Sequence, residues 1–445
     1  MKKLILVGLL FVLCLTTFST PVLGKQAVCV YHTATQKILT ETTQQEWAGW
    51  VSRLSGAEPI NLDNQMLTIK TRYSPYLFNG NKDARAFDYV YNQLRAWDTG
   101  GQIEIQNYRT SFDSRSWKNL IFTLKGTLPN DQQKTIIFSA HLDSITSNHN
   151  YSQAPGAEDN ASGSAALLEA ARVLRNYRFD NTIKLIWFTG EEQGLLGSQA
   201  YVDTYDLSKV KAVINMDMFG YDSDNDRCFE IYADPAGYSL PQTAGQCLTE
   251  SIHNYSLDLT YDYLTYYMDA SDHSPFWDSG ISAVEVLENY ENDGLTGGCH
   301  SSDMNPFYHT ASDTINKMNL SSGFDIARAG LASVVDLAVP GGECFSTPPQ
   351  LSANETSDYP KLSWEMLPGS SSTLIERSSD QVNWSTIAIT SSSVWYDAHI
   401  EEGSLYYYRI SAIDNGRCLS RPSDVKSVLA HLPPLKYYFL PVINN

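Results

Sequence analysis

Positive charge is scarce in this chain. Against 50 aspartates and glutamates stand 31 lysines and arginines, a net charge of −19 at pH 7. So acidic a protein excludes nucleic acid and anionic membrane as partners, since both repel it. Long apolar runs are also lacking. The run Leu4 to Leu15 is shorter than the roughly 20 residues that span a bilayer, so no membrane span is expected. Preceded by Met1-Lys2-Lys3 and followed by Val22-Leu23-Gly24, it reads as a signal peptide over residues 1–24, and the protein as secreted and extracellular. Cysteines number seven, none spaced as a CxxC metal site. Without Cys14 the remainder (Cys29, Cys228, Cys247, Cys299, Cys344 and Cys418) is an even set suited to disulfides in an oxidising compartment. Loop closure favours Cys228–Cys247, and Cys344–Cys418 ties both ends of the C-terminal part. No GxGxxG or Walker pattern follows an apolar run, which excludes the common nucleotide-binding loops.

What the chain does have is an ordered series of potential metal ligands. His141 ends the apolar run Thr135–Ala140, and Asp159 follows in Gly156-Ala157-Glu158-Asp159-Asn160. Glu191 and Glu192 follow the run Thr182–Phe188, Asp217 follows Val210–Ile214, and His309 comes late in Phe307-Tyr308-His309-Thr310. Short runs rich in β-branched residues read as buried strands of a parallel sheet. Between the first two, Leu167, Ala170, Ala171 and Leu174 repeat as one helix stripe, completing a βαβ unit. In open α/β sheets ligands bind at the carboxyl ends of the strands, where these donors fall. Any one donor alone would pass for a helix cap or a solvated loop residue; their joint placement would not. Imidazoles and carboxylates suit zinc, and two histidines with three carboxylates and a spare glutamate suffice for two ions sharing one ligand. Such a pair polarises a carbonyl and acidifies water, which hydrolyses peptide bonds without a covalent intermediate.

The motifs AHLDS, PGAEDNASG, GEEQGLLGS, NMDM and YHT together resemble the secreted di-zinc aminopeptidases of the bacterial leucine aminopeptidase type. The resemblance implies two Zn²⁺ per chain. His141 and Asp217 would bind one, Glu192 and His309 the other, and Asp159 both. Glu191 would stay off the metals as general base on a bridging water, and Asp143 would orient His141 by accepting its other ring N–H. Some members carry Asp-Asp-Asp where this chain has Glu158-Asp159-Asn160; only the middle residue bridges, and the peptide after it is expected to be cis. Met218 and Tyr308, each beside a ligand, and Met268 and Asp269 upstream of Ser271-Asp272-His273 are the candidate substrate-binding residues. The function so implied is removal of N-terminal residues from peptides or proteins by a monomeric enzyme. Alternatives are a metallocarboxypeptidase or glutaminyl cyclase on the same fold, or a non-catalytic peptide-binding relative.

The fold class expected is α/β, a mostly parallel central sheet flanked by helices, plus a C-terminal all-β sandwich. Residues 25–61 form an N-terminal extension or propeptide, with a helix over Gln45 to Leu54, and residues 62–341 the catalytic domain. After Val339-Pro340-Gly341-Gly342 the composition turns to Ser, Thr and aromatics. Strands around Leu362-Ser363-Trp364, Thr373–Arg377 and Tyr406–Ala412 make residues 346–432 resemble a fibronectin type III module. Residues 433–445 are a short tail.

Overall fold

A computed structural model describes residues 27–432 apart from 64, 100–101, 112–113, 234, 291–298, 300–301, 355–358 and 383. The expected signal peptide and the tail lie outside the described residues. Eight strands form the central sheet: β1 (Ile103–Arg109), β2 (Ser116–Leu124), β3 (Thr135–His141), β4 (Thr182–Phe188), β5 (Val210–Met216), β6 (Cys228–Ala233), β7 (Thr260–Leu264) and β8 (Ala283–Glu288). Their order is β7-β6-β8-β5-β3-β4-β2-β1. The four central strands run parallel, β3 between β4 and β5, with β8 beyond β5. Antiparallel pairings join β2 to β4, β1 to β2 and β6 to β8, so the sheet is mixed, parallel where its strands are most apolar.

Alternation along β3 separates two cores. Ile136, Phe138 and Ala140 join the larger core, whereas Ile137 joins Ile186, Phe188, Val213, Phe276 and Trp277 on the other face. The longer helices are α1 (Thr33–Glu41), α2 (Gln44–Leu54), α3 (Ala86–Trp97), α4 (Gly163–Leu174), α5 (Leu196–Thr204), α6 (Thr243–Asn254) and α7 (Leu320–Ala338). On the larger-core side α4 and α7 lie directly on β3, and α1 and α2 pack against them. No helix among the described residues is long and apolar enough to cross a membrane.

The N-terminal segment is a packed layer. Trp47 of α2 is fully buried, donates its indole N–H to the Ser162 carbonyl at 3.1 Å and stacks on Phe219. Cys29 is bonded to Cys247 of α6, and Cys228 to Cys299, with Cα separations of 5.1 and 5.4 Å. These two bonds replace the Cys228–Cys247 pair expected from loop closure. Cys228 opens β6, whereas Cys247 lies on the buried face of α6 against the Ser333 carbonyl of α7, where the N-terminal segment reaches it. Cys344–Cys418 forms as expected.

Beyond α7, seven strands form two antiparallel sheets. One holds Leu351–Asn354, Lys361–Trp364 and Val394–Tyr396; the other holds Ser370–Ser378, Ser385–Thr390, Leu405–Asp414 and Lys426–Leu429. Leu362, Trp364, Ile375, Tyr408, Ile410 and Val428 share a core between them. Arg178 binds Asp414 at 2.6 Å where the sandwich meets the α/β unit.

Candidate metal centre

The carboxyl ends of β3, β4 and β5 bring together what lies far apart in the chain. His141 is the last residue of β3, Glu191 and Glu192 follow β4, and Asp217 follows β5. Asp159 sits in the turn before α4, and its peptide bond to Asn160 is cis, as expected. Close approach explains Gly163 at the helix start: a Cβ there would lie 2.4 Å from the Met216 carbonyl and 2.9 Å from Ala140 Cβ. Gly190, with φ +75°, turns the chain between β4 and the glutamates, and a Cβ there would strike the Trp117 ring at 2.7 Å.

Two groups of potential ligands form around one shared residue: His141, Asp159 and Asp217, and Asp159, Glu192 and His309, with the offered atoms of each group within 4.8 Å of one another. His141 Nε2 lies 2.9 Å from Asp217 Oδ1 and 3.2 Å from Asp159 Oδ1. On the other side, His309 Nε2 lies 3.0 Å from both Asp159 Oδ2 and Glu192 Oε2. Glu191 stands further back, its Oε2 4.0 Å from His141 Nε2. Asp143 Oδ1 is 3.7 Å from His141 Nδ1, buried and aimed at the ring but beyond hydrogen-bond length.

The electrostatics are those of a cation site. Burial lifts Glu192 to about 7 and Glu191 well above the usual range, with repulsion from neighbouring carboxylates adding to both. Burial opposes charge on His309, yet Asp159 and Glu192 lift it to about 10. His141 is held high in the same way against its own burial, chiefly by Asp217. Neither oxygen of Asp143, nor His141 Nδ1, nor Glu192 Oε1 finds a hydrogen-bond partner. So many converging carboxylates around two imidazoles, with buried acceptor atoms left over, fit a bound divalent metal.

Several supporting residues went unread in the sequence. Ser271 donates to Asp217 Oδ2 at 2.5 Å and accepts from Asn215 Nδ2 at 2.9 Å, and Asn215 Oδ1 accepts from Ser139 at 2.9 Å. Asp313 accepts the amides of Glu158 and Asp159 at 3.0 and 3.1 Å. Arg72, fully buried, donates to the carbonyls of Leu142 and Gly156 at 2.7 and 2.8 Å. Asn160, where some relatives have aspartate, donates to the Met216 carbonyl at 2.8 Å and accepts from the Gly163 amide at 2.8 Å, a dual role an ionised aspartate cannot fill. Nothing in the local sequence marks Ser271 or Arg72, since their partners lie tens of residues away.

Of the candidate substrate-binding residues, Met218, Met268 and Tyr308 belong to one apolar cluster, and Tyr308 stacks on His309 with ring centroids 3.7 Å apart. Met218 is only 5% exposed, so most of its side chain is core. Asp269 lines a separate cleft of about 400 Å³ with Arg109, Leu195, Leu196, Tyr267 and Pro275. Asp272 and His273 are fully buried; His273 Nε2 meets the Met268 carbonyl at 2.8 Å, and burial lowers this imidazole to about 3.

A mixed α/β sheet thus gathers a histidine–carboxylate cluster at its parallel strand ends. Residues 119–334 match the profile of peptidase family M28. It is 30% identical over 251 residues to leucine aminopeptidase 2 of Trichophyton equinum, a match covering 54% of this chain and 48% of the relative. The chain thus spans about half the length of the curated relatives it matches. The fold is shared with the LapA aminopeptidase of Legionella pneumophila, TM-score 0.54 at 22% identity, covering 71% of this chain and 78% of that one. It is shared too with an Acidobacteriales bacterium glutaminyl cyclase, TM-score 0.51 at 17% identity, over 67% and 95% of the two chains.

Proposed function

We propose that this protein is an extracellular zinc aminopeptidase that removes N-terminal residues from peptides. The observation carrying the reading is the shared Asp159, with one histidine and one further carboxylate on each side and Glu191 left over. His141 and Asp217 would hold one zinc, Glu192 and His309 the second, and Asp159 both. Bound zinc supplies Lewis acidity at the scissile carbonyl and lowers the pKa of water. Glu191 is the general base, taking the proton of the attacking water and passing it to the leaving amine. Its site favours that role, because burial and nearby carboxylates raise its proton affinity well above that of an ordinary carboxylate. Asp143, with Oδ1 3.7 Å from His141 Nδ1, would orient the ring as a ligand. A free α-amine, a cation, is favoured in so acidic a site. Three disulfides support an extracellular location.

The domains follow the same reading: a catalytic unit over 62–341, an N-terminal extension over 25–61, and a fibronectin type III-like module over 346–432, supported by its three- and four-stranded sheets. A glutaminyl cyclase is the second reading, favoured only by the shared fold; two complete ligand groups speak for the peptidase. Hydrolysis of free and N-acetylated aminoacyl anilides, with metal analysis of the same preparation, tests both. Rapid cleavage of the free substrate alone, with two zinc ions per chain, is expected. Equal cleavage of acetylated substrates would remove the aminopeptidase reading, and full activity with one ion the two-metal reading.

A further inference from the structure

Arg72 belongs to neither ligand group, yet its fully buried guanidinium directs all five N–H groups into the chain around them. Nε donates to the Leu142 carbonyl at 2.7 Å. Nη1 donates to the carbonyls of Pro155 at 2.5 Å and Leu54 at 3.1 Å, and Nη2 to those of Gly156 at 2.8 Å and Asp159 at 3.4 Å. Five donors thus meet five different main-chain acceptors, and none goes to a carboxylate. A guanidinium holds its N–H groups in one rigid plane, so using all of them fixes the relative placement of every segment they touch.

Three segments are joined in this way. Leu142 stands between His141 and Asp143 at the end of β3, residues 155–159 form the turn that presents Asp159, and Leu54 ends α2 of the N-terminal layer. The turn is shaped to receive the guanidinium: Gly156 has φ +51°, and a Cβ there would lie 2.8 Å from Arg72 Nη2 and 2.2 Å from the Asp159 carbonyl. The Arg72 amide donates to the Ser144 hydroxyl at 3.2 Å, which itself donates to the Ala154 carbonyl at 2.8 Å. Burial of a cation is costly and lowers this guanidinium to about 10, while the charges of Asp159, Asp313, Asp143 and Glu192 offset part of the cost. An apolar side chain would fill the same space without that cost, so packing alone does not account for an arginine here.

We propose that Arg72 is a positioning residue of the metal centre, which sets Asp159 against His141 and makes that setting depend on the N-terminal layer. The role rests on the two-metal reading of the site. Arg72 acts through main chain on both sides of the centre: the Leu142 carbonyl is one residue from His141, and the Asp159 carbonyl belongs to the shared ligand itself. The bond to Leu54 adds α2 to the same frame. Trp47 of that helix donates to the Ser162 carbonyl at 3.1 Å, and the Thr43 amide that precedes it donates to Glu169 of α4 at 3.0 Å. Lysine would keep the charge, but its three N–H groups leave one nitrogen and cannot span three segments.

The test uses the full chain loaded with zinc, and with Co²⁺ in its place for spectroscopy. In competition with a chromophoric chelator, Arg72→Lys should bind zinc about 10–100-fold more weakly than the parent, and the Co²⁺ absorption bands should shift as the ligand geometry loosens. Leu248→Ala, which empties a buried site on α6, should lower Tm and leave affinity and bands unchanged. Ser144→Ala removes one hydrogen bond behind Arg72 and keeps the charge, a change small enough to leave folding intact; its zinc affinity should fall about fivefold. Parent affinity and unshifted bands in Arg72→Lys, or in Ser144→Ala where Arg72→Lys does not fold, would overturn the role, as would equal losses in Leu248→Ala. A parent chain that bound no zinc would instead remove the metal reading on which the role rests.

Discussion

Ser271 donates its hydroxyl to Asp217 Oδ2 at 2.5 Å, leaving Oδ1 of the same carboxylate to face His141 Nε2 at 2.9 Å. The serine therefore decides which oxygen of Asp217 is offered to the centre. Ser271→Ala should weaken metal binding by roughly 10–100-fold, the usual effect of losing a partner that orients a ligand. Competition with a chromophoric chelator measures this. Unchanged metal affinity would show that packing alone orients Asp217.

Adjacent glutamates should separate by phenotype. Glu192 Oε2 lies 3.0 Å from His309 Nε2, whereas Glu191 Oε2 stands 4.0 Å from His141 Nε2. Glu191→Ala should keep the metal content and lower kcat by roughly 10²–10⁴. Glu192→Ala should lose metal. Metal analysis beside steady-state kinetics distinguishes the two, and the reverse pattern would exchange their roles.

The strand ends and their donors were legible because buried parallel strands are apolar over most of their length, and the donors stand at or just after the ends of those runs. That is why His141 and Asp217 could be placed from the runs 135–140 and 210–214 alone. The pairing of Cys228 was not legible. A 19-residue separation looks local, but Cys247 is bonded to Cys29 of the N-terminal segment, and the true partner of Cys228, Cys299, follows β8, the strand beside β6. Ser271, Asp313 and Arg72 escaped for a related reason: each acts on residues 54 or more positions away, through contacts that no periodicity records.

Removal of the metal should make stability pH-dependent. Burial raises Glu158 to about 8 and both Asp272 and Asp313 to about 7. Each is a carboxyl whose folded value lies above its unfolded one, so the folded state holds more protons from about pH 4 upward. The stability they contribute is present below pH 4 and lost as pH rises through 7 to 8. The metal-free protein should therefore show a falling Tm between pH 5 and 8. The metal-loaded protein should show a flatter profile, because metal binding itself strengthens as ligands deprotonate. A metal-free Tm that rises over this range would contradict the assignment.

The N-terminal layer should behave as structure. Trp47 is fully buried between Phe219 and Phe324, and its indole N–H bonds the Ser162 carbonyl just before α4. Trp47→Ala should destabilise the protein by roughly 3–5 kcal/mol, the range for emptying a large aromatic site. Urea unfolding of the metal-loaded protein measures it. A loss below about 1 kcal/mol would mean that the segment is loosely held, as a propeptide would be.

Substrate preference follows from what surrounds the ligands. Tyr308 stacks on His309 and shares an apolar cluster with Met218 and Met268, which favours an apolar or aromatic first residue. Asp269 instead faces the cleft near Arg109, so a charged side chain would meet its partners there, apart from that cluster. On a panel of aminoacyl anilides, Leu, Met and Phe should show the highest kcat/KM and Lys and Glu the lowest. Tyr308→Ala should narrow the difference by roughly tenfold, since one apolar wall contributes about 1–3 kcal/mol of discrimination. If the variant slowed all substrates equally, Tyr308 would be positioning His309 through its stacking contact, and the specificity would lie with the cleft beside Asp269.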